Sequence, residues 1–386
     1  MSGSSPSQPV GQAISPWQMP LHRGLAWFGT VAPGLALAGL LAWMGVILAE
    51  FVGQTLLGFE KTPISAIMMT ILLGLIVRNV AGLPVVFEAG LRFAVKRILR
   101  FGVALLGLGL SLVAVAQIGA SALPIILGCI LSALLLVTWL SRLVGLPPRL
   151  GSLIAVGTSI CGASAIVAAG PAIDAEEDEV SYAVACITLF GMAALLGYPY
   201  LAHWLFAANA EQAGLFLGTA IHETSQVAGA GLMYQQHYDA PIALNVATTT
   251  KLVRNVCMGA VIPMIAVFYH RRNASAGSGR TGRLAWYQYV PLFVVAFVAL
   301  TAVRTFGDLG TRAFGMIPRP TWQSWLTEAR SVSVGCLTIA MAAVGLGTSV
   351  AQLRKLGYKP LLVGLAAAVL VGGVSLALIK VFAVML

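Results

Sequence analysis

Lys251 and Arg254 stand three residues apart in an otherwise apolar stretch, a spacing that puts both cations on one face of a helix. Thr248, Thr249 and Thr250 precede them and Asn255 follows, so a polar stripe runs through residues 241–268. Of the thirteen acidic residues, Glu223 is the one in the middle of an apolar run, with His222 before it and Thr224, Ser225 and Gln226 after it. A charge at the bilayer centre costs at least about 2.5–3.5 kcal/mol, so each of these groups needs a partner, a water-filled cavity or a ligand. Two cations against one carboxylate leave a positive charge over, and an anionic ligand would neutralise it. Blander readings stand beside this one. Glu223 could pair statically with a buried cation, and Arg254 could snorkel toward an interface where residues 270–283 are already basic.

A second kind of chemistry is carried by backbone. The stretch Gly157-Thr158-Ser159-Ile160-Cys161-Gly162-Ala163-Ser164 and the stretch Gly218-Thr219-Ala220-Ile221-His222-Glu223-Thr224-Ser225 interrupt apolar runs with the same small, polar, helix-weakening pattern. Extended to Gly170 and Gly231, they agree at six of fourteen positions with a constant offset of 61. Glycine frees the chain from helical geometry, and a half-helix beginning there would turn unsatisfied N–H groups and a positive dipole end toward an anion. Hydroxyls of Thr158, Ser159 and Ser164 would add donors. Small residues at a tight helix crossing would leave a similar sequence without any ligand. Cys161 has no base near it in sequence and reads as a lining residue.

These residues must be positioned by membrane helices. Hydrophobic residues are 59% of the 386 and charged residues only 9%, too few to cover a water-soluble globule. Eleven apolar runs near the length that crosses about 30 Å of hydrocarbon fall at 27–49, 63–80, 98–116, 121–141, 150–172, 180–205, 212–232, 241–268, 286–303, 331–350 and 360–384. Alternating ten-residue strands are absent, which predicts an all-α polytopic membrane protein rather than a barrel. The net charge of +10 sits in short connections, so it speaks of topology and not of nucleic acid. Fifteen basic residues fall in one set of loops and six in the other, which predicts a cytoplasmic N-terminus and an outside C-terminus. Residues 1–22 read as a disordered tail and 23–386 as one transmembrane domain. The five cysteines lie in apolar segments without metal-ligand spacing, and no P-loop pattern is present.

Gly107-Leu108-Gly109-Leu110-Ser111 recurs as Gly345-Leu346-Gly347-Thr348-Ser349 at an offset of 238, each followed by an apolar helix containing proline. Together the echoes predict inverted repeats, roughly 60–205 and 210–386. The paired glycine segments pose a difficulty, because segments five and seven would run parallel if both crossed fully. Each is either a re-entrant hairpin with the polar stretch at its tip or a broken spanning helix. The loop charges do not separate the two, and the spanning path is marginally preferred.

Gly-Thr-Ser-Ile-Cys-Gly-Ala-Ser-Ala at 157–165, the acidic run from Asp174 to Glu179, the stretch 218–227 and Ala247 to Arg254 resemble the YeiH-like family of bacterial inner-membrane proteins, labelled as sulfate exporters. The resemblance covers roughly residues 30–386. Glu223 departs from it by one methylene, since Asp is the commoner residue there. The resemblance implies the inverted-repeat fold group of bile-acid sodium symporters and sodium–proton antiporters, with discontinuous crossed helices. It also implies a secondary transporter.

The reading that results is a non-enzymatic secondary transporter exporting a small anion such as sulfate by alternating access, in the bacterial inner membrane. Substrate-binding candidates are Lys251, Arg254, Gly157, Thr158, Ser159, Cys161, Gly162, Ser164, Ser225 and Gln226. Glu223 and His222 are candidates for coupling or gating. No metal or cofactor is expected. The expected partners are the anion, protons or sodium as coupling ion, the lipid bilayer and a second copy in a homodimer. Two alternatives remain. One is a cation–proton antiporter with Glu223 as the exchanged carboxylate, and the other an intramembrane enzyme with Cys161 or a serine as nucleophile and His222 as base.

Overall fold

In lipid every backbone polar group must be satisfied within the protein, which favours continuous helix except where the chain lines protein or water. The computed structural model describes residues 21–56, 65–206, 209–272, 292–349, 351 and 357–382. Among them the regular structure is all helix, apart from an isolated bridge between Ala313 and Ile317. Fourteen elements are named here: α1 (Leu21–Glu50), α2 (Ala66–Ala81), α3 (88–109), α4 (Leu112–Leu143), α5 (Pro148–Ser159), α6 (Ala163–Ala169), α7 (Glu177–Phe206), α8 (Ala210–Ala220), α9 (Thr224–Tyr238), α10 (Pro241–Val256), α11 (Met258–Arg272), α12 (Leu292–Gly307), α13 (Arg319–Gly347) and α14 (Tyr358–Phe382). Among the described residues five stretches, Gly29–Glu50 within α1 and the whole of α4, α7, α13 and α14, are long and apolar enough to cross a membrane, and α2 and α12 are shorter apolar helices. Of the tail expected at 1–22, residues 1–20 lie outside the described residues, and α1 has already begun at Leu21.

One boundary differs from expectation. Segments three and four are separated at Leu110 and Ser111, not between 116 and 121. Leu110 is extended (φ −130°, ψ 151°), and the Ser111 hydroxyl accepts from the Ala114 N–H at 3.1 Å, so the chain restarts as a capped helix. The matching Gly-Leu-Gly echo ends α13 at Gly347, where Thr348 turns to extended backbone and its carbonyl accepts from Asn79 Nδ2 at 3.1 Å. Both echoes therefore mark helix breaks. α3 and α13 run antiparallel, as inverted copies must: the Ser333 hydroxyl donates to the Gly102 carbonyl at 2.7 Å, while Gly109 lines the same cavity as Gln323 and Leu326.

The two broken segments turn back instead of crossing, against the marginal preference above. A straight path from Gly157 to Ile166 would separate them by about 13 Å, yet a Cβ on Gly157 would lie 2.6 Å from Ile166 Cδ1. Residues equidistant from a tip at 160–162 thus face one another. In the second segment, Gly214 and Gly218 of α8 press on Ala243 and Ala247 of α10, so these helices are parallel. Gly231 of α9 meets Leu244, while Thr224 meets Asn255, so α9 is antiparallel to both. Length gives the physical reason. The 12 residues of α5 and 11 of α8 extend about 18 Å and 16 Å, short of a 30 Å crossing. α7, 30 residues and about 45 Å long, joins the open end of one hairpin to the open end of the other. The tips therefore approach each other from opposite ends of the bundle.

A second cluster packs beside the main core, to which α2, α3 and α13 also contribute Ile67, Ile71, Leu99, Val103 and Leu337. Ala38, Leu41 and Ala42 of α1, Leu91 and Ala94 of α3, and Ala342, Ala343 and Leu346 of α13 make a cluster distinct from the main core. Its backbones approach closely at Gly34 against Gly90 and at Gly74 against Gly345, contacts that any side chain would block.

Candidate functional site

α10 lies between the hairpins, and its two cations reach both tips. Lys251 and Arg254 are fully buried. The Lys251 ammonium donates to the carbonyls of Ile160 (2.8 Å), Ile221 (3.0 Å) and His222. Arg254 donates from Nε to Ser159 O (2.7 Å), from Nη1 to Thr219 O (2.6 Å) and from Nη2 to Thr158 O. These carbonyls belong to the last turns of α5 and α8 and the residues just beyond, where backbone acceptors lose their intrahelical donors and the helix dipoles are negative. Each hairpin contributes three. The predicted i, i+3 face is therefore present, but its donors are turned on backbone. All three Lys251 protons are taken, and Arg254 keeps two of its five.

The first tip offers less side-chain chemistry than its sequence suggested. The Thr158 hydroxyl donates back to Ile154 O at 2.7 Å and the Ser159 hydroxyl to Val156 O at 2.9 Å, so both are occupied within α5. The Cys161 thiol rests 3.7 Å from Met258 Sδ. Gly157 packs on Ile166 and Ile187, and Ser164 is exposed on α6. Gly162 has φ 70° and ψ −127°, a region that glycine alone occupies without strain of order 1–3 kcal/mol. A Cβ there would also lie 3.2 Å from Glu223 Cβ, so the tips touch at this glycine. Gly162→Ala should lower the unfolding temperature in detergent by several degrees and reduce ligand response further. A variant melting like the wild type would show that the tip relaxes freely.

The second tip carries the unpaired polar groups. Glu223 takes the N-cap position of α9 (φ −103°, ψ 143°) without a side-chain cap bond, and the first bond of that helix runs from the Val227 N–H to the Glu223 carbonyl at 3.0 Å. The amides before Val227 have no intrahelical acceptor. Among the described residues no ion pair reaches Glu223, which is half-buried. His222 is fully buried and neither ring nitrogen has a hydrogen-bond partner among the described residues. Asn255 donates from Nδ2 to Thr224 Oγ1 at 3.1 Å, and its Oδ1 has no partner among the described residues. Ser225 is buried in the first turn. Gln226 points elsewhere: its Nε2 donates to Thr188 O at 3.3 Å, and its amide fills the notch at Gly191 on α7.

Two participants were missed from sequence. Ser375 of α14 shares a 2.6 Å hydrogen bond with the Thr219 hydroxyl, and Met258 supplies the sulfur beside Cys161. No periodicity marks either residue. Among the described residues no group of three His, Cys, Asp or Glu side chains converges to hold a metal.

The sequence matches the family described as conserved hypothetical protein 698 over residues 33–364. It is 32% identical over 367 residues to a UPF0324 membrane protein of Agrobacterium fabrum, covering 93% of this chain and 96% of that one. A UPF0324 membrane protein of Fusobacterium nucleatum is 30% identical over 83% of this chain and 91% of its own, and one of Streptococcus pneumoniae is 32% identical over 85% and 91%. No solved structure matches.

Proposed function

This chain belongs to the conserved hypothetical protein 698 family, the YeiH-like UPF0324 membrane proteins, and on that footing we propose that it is a secondary transporter of a small inorganic oxyanion, with sulfate the leading candidate. One observation carries the reading: two re-entrant tips from opposite ends of the bundle converge on a buried pair of cations. Interrupted helices meeting at mid-membrane are the recurring architecture of secondary transport sites. Lys251 and Arg254 neutralise the carbonyl ends of α5 and α8. The open amides of α9, with Ser225, Asn255 and His222, supply donors to the anion. The residual field is positive, two formal cations against one carboxylate, and it selects for negative charge.

Glu223 supplies the coupling. Its carboxylate stands at the same helix N-terminus that the anion would occupy, so ionised Glu223 and a bound oxyanion exclude one another. The basic-loop count supports a reading in which the open end of the first hairpin and the acidic run 174–179 face the cytoplasm.

The test is counterflow of labelled sulfate by the purified protein in liposomes, with sulfite, thiosulfate, sulfoacetate and taurine as competitors, with and without a proton gradient. Saturable flux competed by doubly charged oxyanions and not by zwitterionic taurine is the expected result. Absence of flux with every compound would overturn the reading. A cation–proton antiporter is favoured by the lack of an ion pair on Glu223, and it is distinguished by proton flux driven by sodium or potassium with sulfate absent.

A further inference from the structure

A cavity of about 220 Å³ is walled by α3, α12 and α13 on one side and by α9 and α10 on the other. Its polar lining is Arg304, Arg330, Gln235, Asn245, Gln323 and Thr327, and among the described residues no carboxylate lines it. Asp308 ion-pairs with Arg304 at 2.6 Å from beyond the lining, while Arg330 has no ion pair among the described residues. The Gln235 Oε1 is also buried and without a partner among the described residues. The floor is the helix break at Gly109, where a Cβ would stand 3.7 Å from Asn245 Oδ1. This gives the first Gly-Leu-Gly echo a role that the central site did not require.

Asn245 connects the cavity to that site. It precedes Lys251 by six residues on α10, about 9 Å along the helix. Between them lie Thr248 and Thr249, both buried with hydroxyls that have no partner among the described residues. An untied guanidinium, side-chain amides and a track of unpaired hydroxyls form a surface suited to a partly hydrated oxyanion. The cavity shares a face with the open end of the second hairpin, the outer face in the charge-based orientation.

We propose that this cavity is a second oxyanion-binding subsite, on the outer side of the central one, in which Arg330 and Asn245 hold the anion before it reaches the hairpin tips or after it leaves them. The proposal rests on the anion-transport reading. Two measurements separate its failure from a failure of that reading. In proteoliposomes of defined orientation, Arg330→Gln should raise the half-saturating sulfate concentration about fivefold from the outer face, as expected for one partly solvated charge contact. From the inner face the change should stay under about twofold. Equal changes on both faces, or none, would overturn the subsite while leaving transport intact.

The second measurement needs no transport. Asn245→Cys should react with a membrane-impermeant thiosulfonate added outside, above the background of the five native cysteines, and sulfate should slow that reaction severalfold. Reaction without protection, or no reaction from outside, would sink the proposal whatever the flux. Protection in a protein that moves no sulfate would support the subsite and count against the transport reading.

Discussion

Arg254→Leu is expected to leave little folded protein, and to do so independently of any ligand. The substitution strips donors from the carbonyls of Thr158, Ser159 and Thr219, all inside a fully buried junction. Each orphaned buried acceptor costs about 1–3 kcal/mol, so three sum to about 3–9 kcal/mol, a large share of the 5–15 kcal/mol that holds a typical domain together. The apparent midpoint of thermal unfolding in detergent should fall by about 4–11 °C, with loss of the monodisperse peak. Arg254→Lys should recover part of the loss, because an ammonium cannot span the three acceptors as a planar fork does. Wild-type melting with Arg254→Leu would mean that the carbonyls find water or other donors, and the clamp role would be withdrawn.

Glu223→Gln is expected to keep sulfate counterflow and abolish its dependence on protons. A carboxylate and a divalent anion 6 Å apart repel by about 5 kcal/mol at an effective dielectric constant of 20, so anion binding at the α9 N-terminus selects the protonated acid. The anion and the proton then travel together. Wild-type transport should fall as pH rises through the titration of Glu223, and a one-unit gradient should drive about tenfold accumulation at clamped voltage, since one unit is worth about 1.4 kcal/mol. The glutamine variant should show a flat pH profile and no accumulation, with exchange intact. Loss of all flux in Glu223→Gln, with proton release on adding sodium to the wild type, would favour the antiporter instead.

The parts of this molecule that were legible in its sequence depend on side-chain identity and period. Apolar length disclosed the helices, the two glycine-rich interruptions disclosed the breaks, and the isolation of Glu223, Lys251 and Arg254 in apolar context marked the residues that gather at the tips. What stayed hidden depends on backbone. The partners of Lys251 and Arg254 were hidden because they are carbonyl oxygens, which every residue carries and no sequence pattern advertises. The hairpin path was hidden for a related reason: turning back twice leaves all later loops on the same sides, so the distribution of basic residues is identical for both paths. The cavity around Asn245 draws on five helices, and only the fold brings its residues together.

Because α10 holds three carbonyls from each hairpin, neither tip can swing away alone without breaking a complete set of charge-assisted bonds. At about 1.5–3 kcal/mol apiece, peeling one hairpin from the helix would cost roughly 5–9 kcal/mol in every cycle. Under the proposed transport reading, the mechanically cheaper motion would carry α5, α6, α8, α9 and α10 as one riveted body against α1, α2, α3 and α13. The joint of such a motion would lie at the seam where the cavity opens, with the tips as its cargo and no hinge of their own.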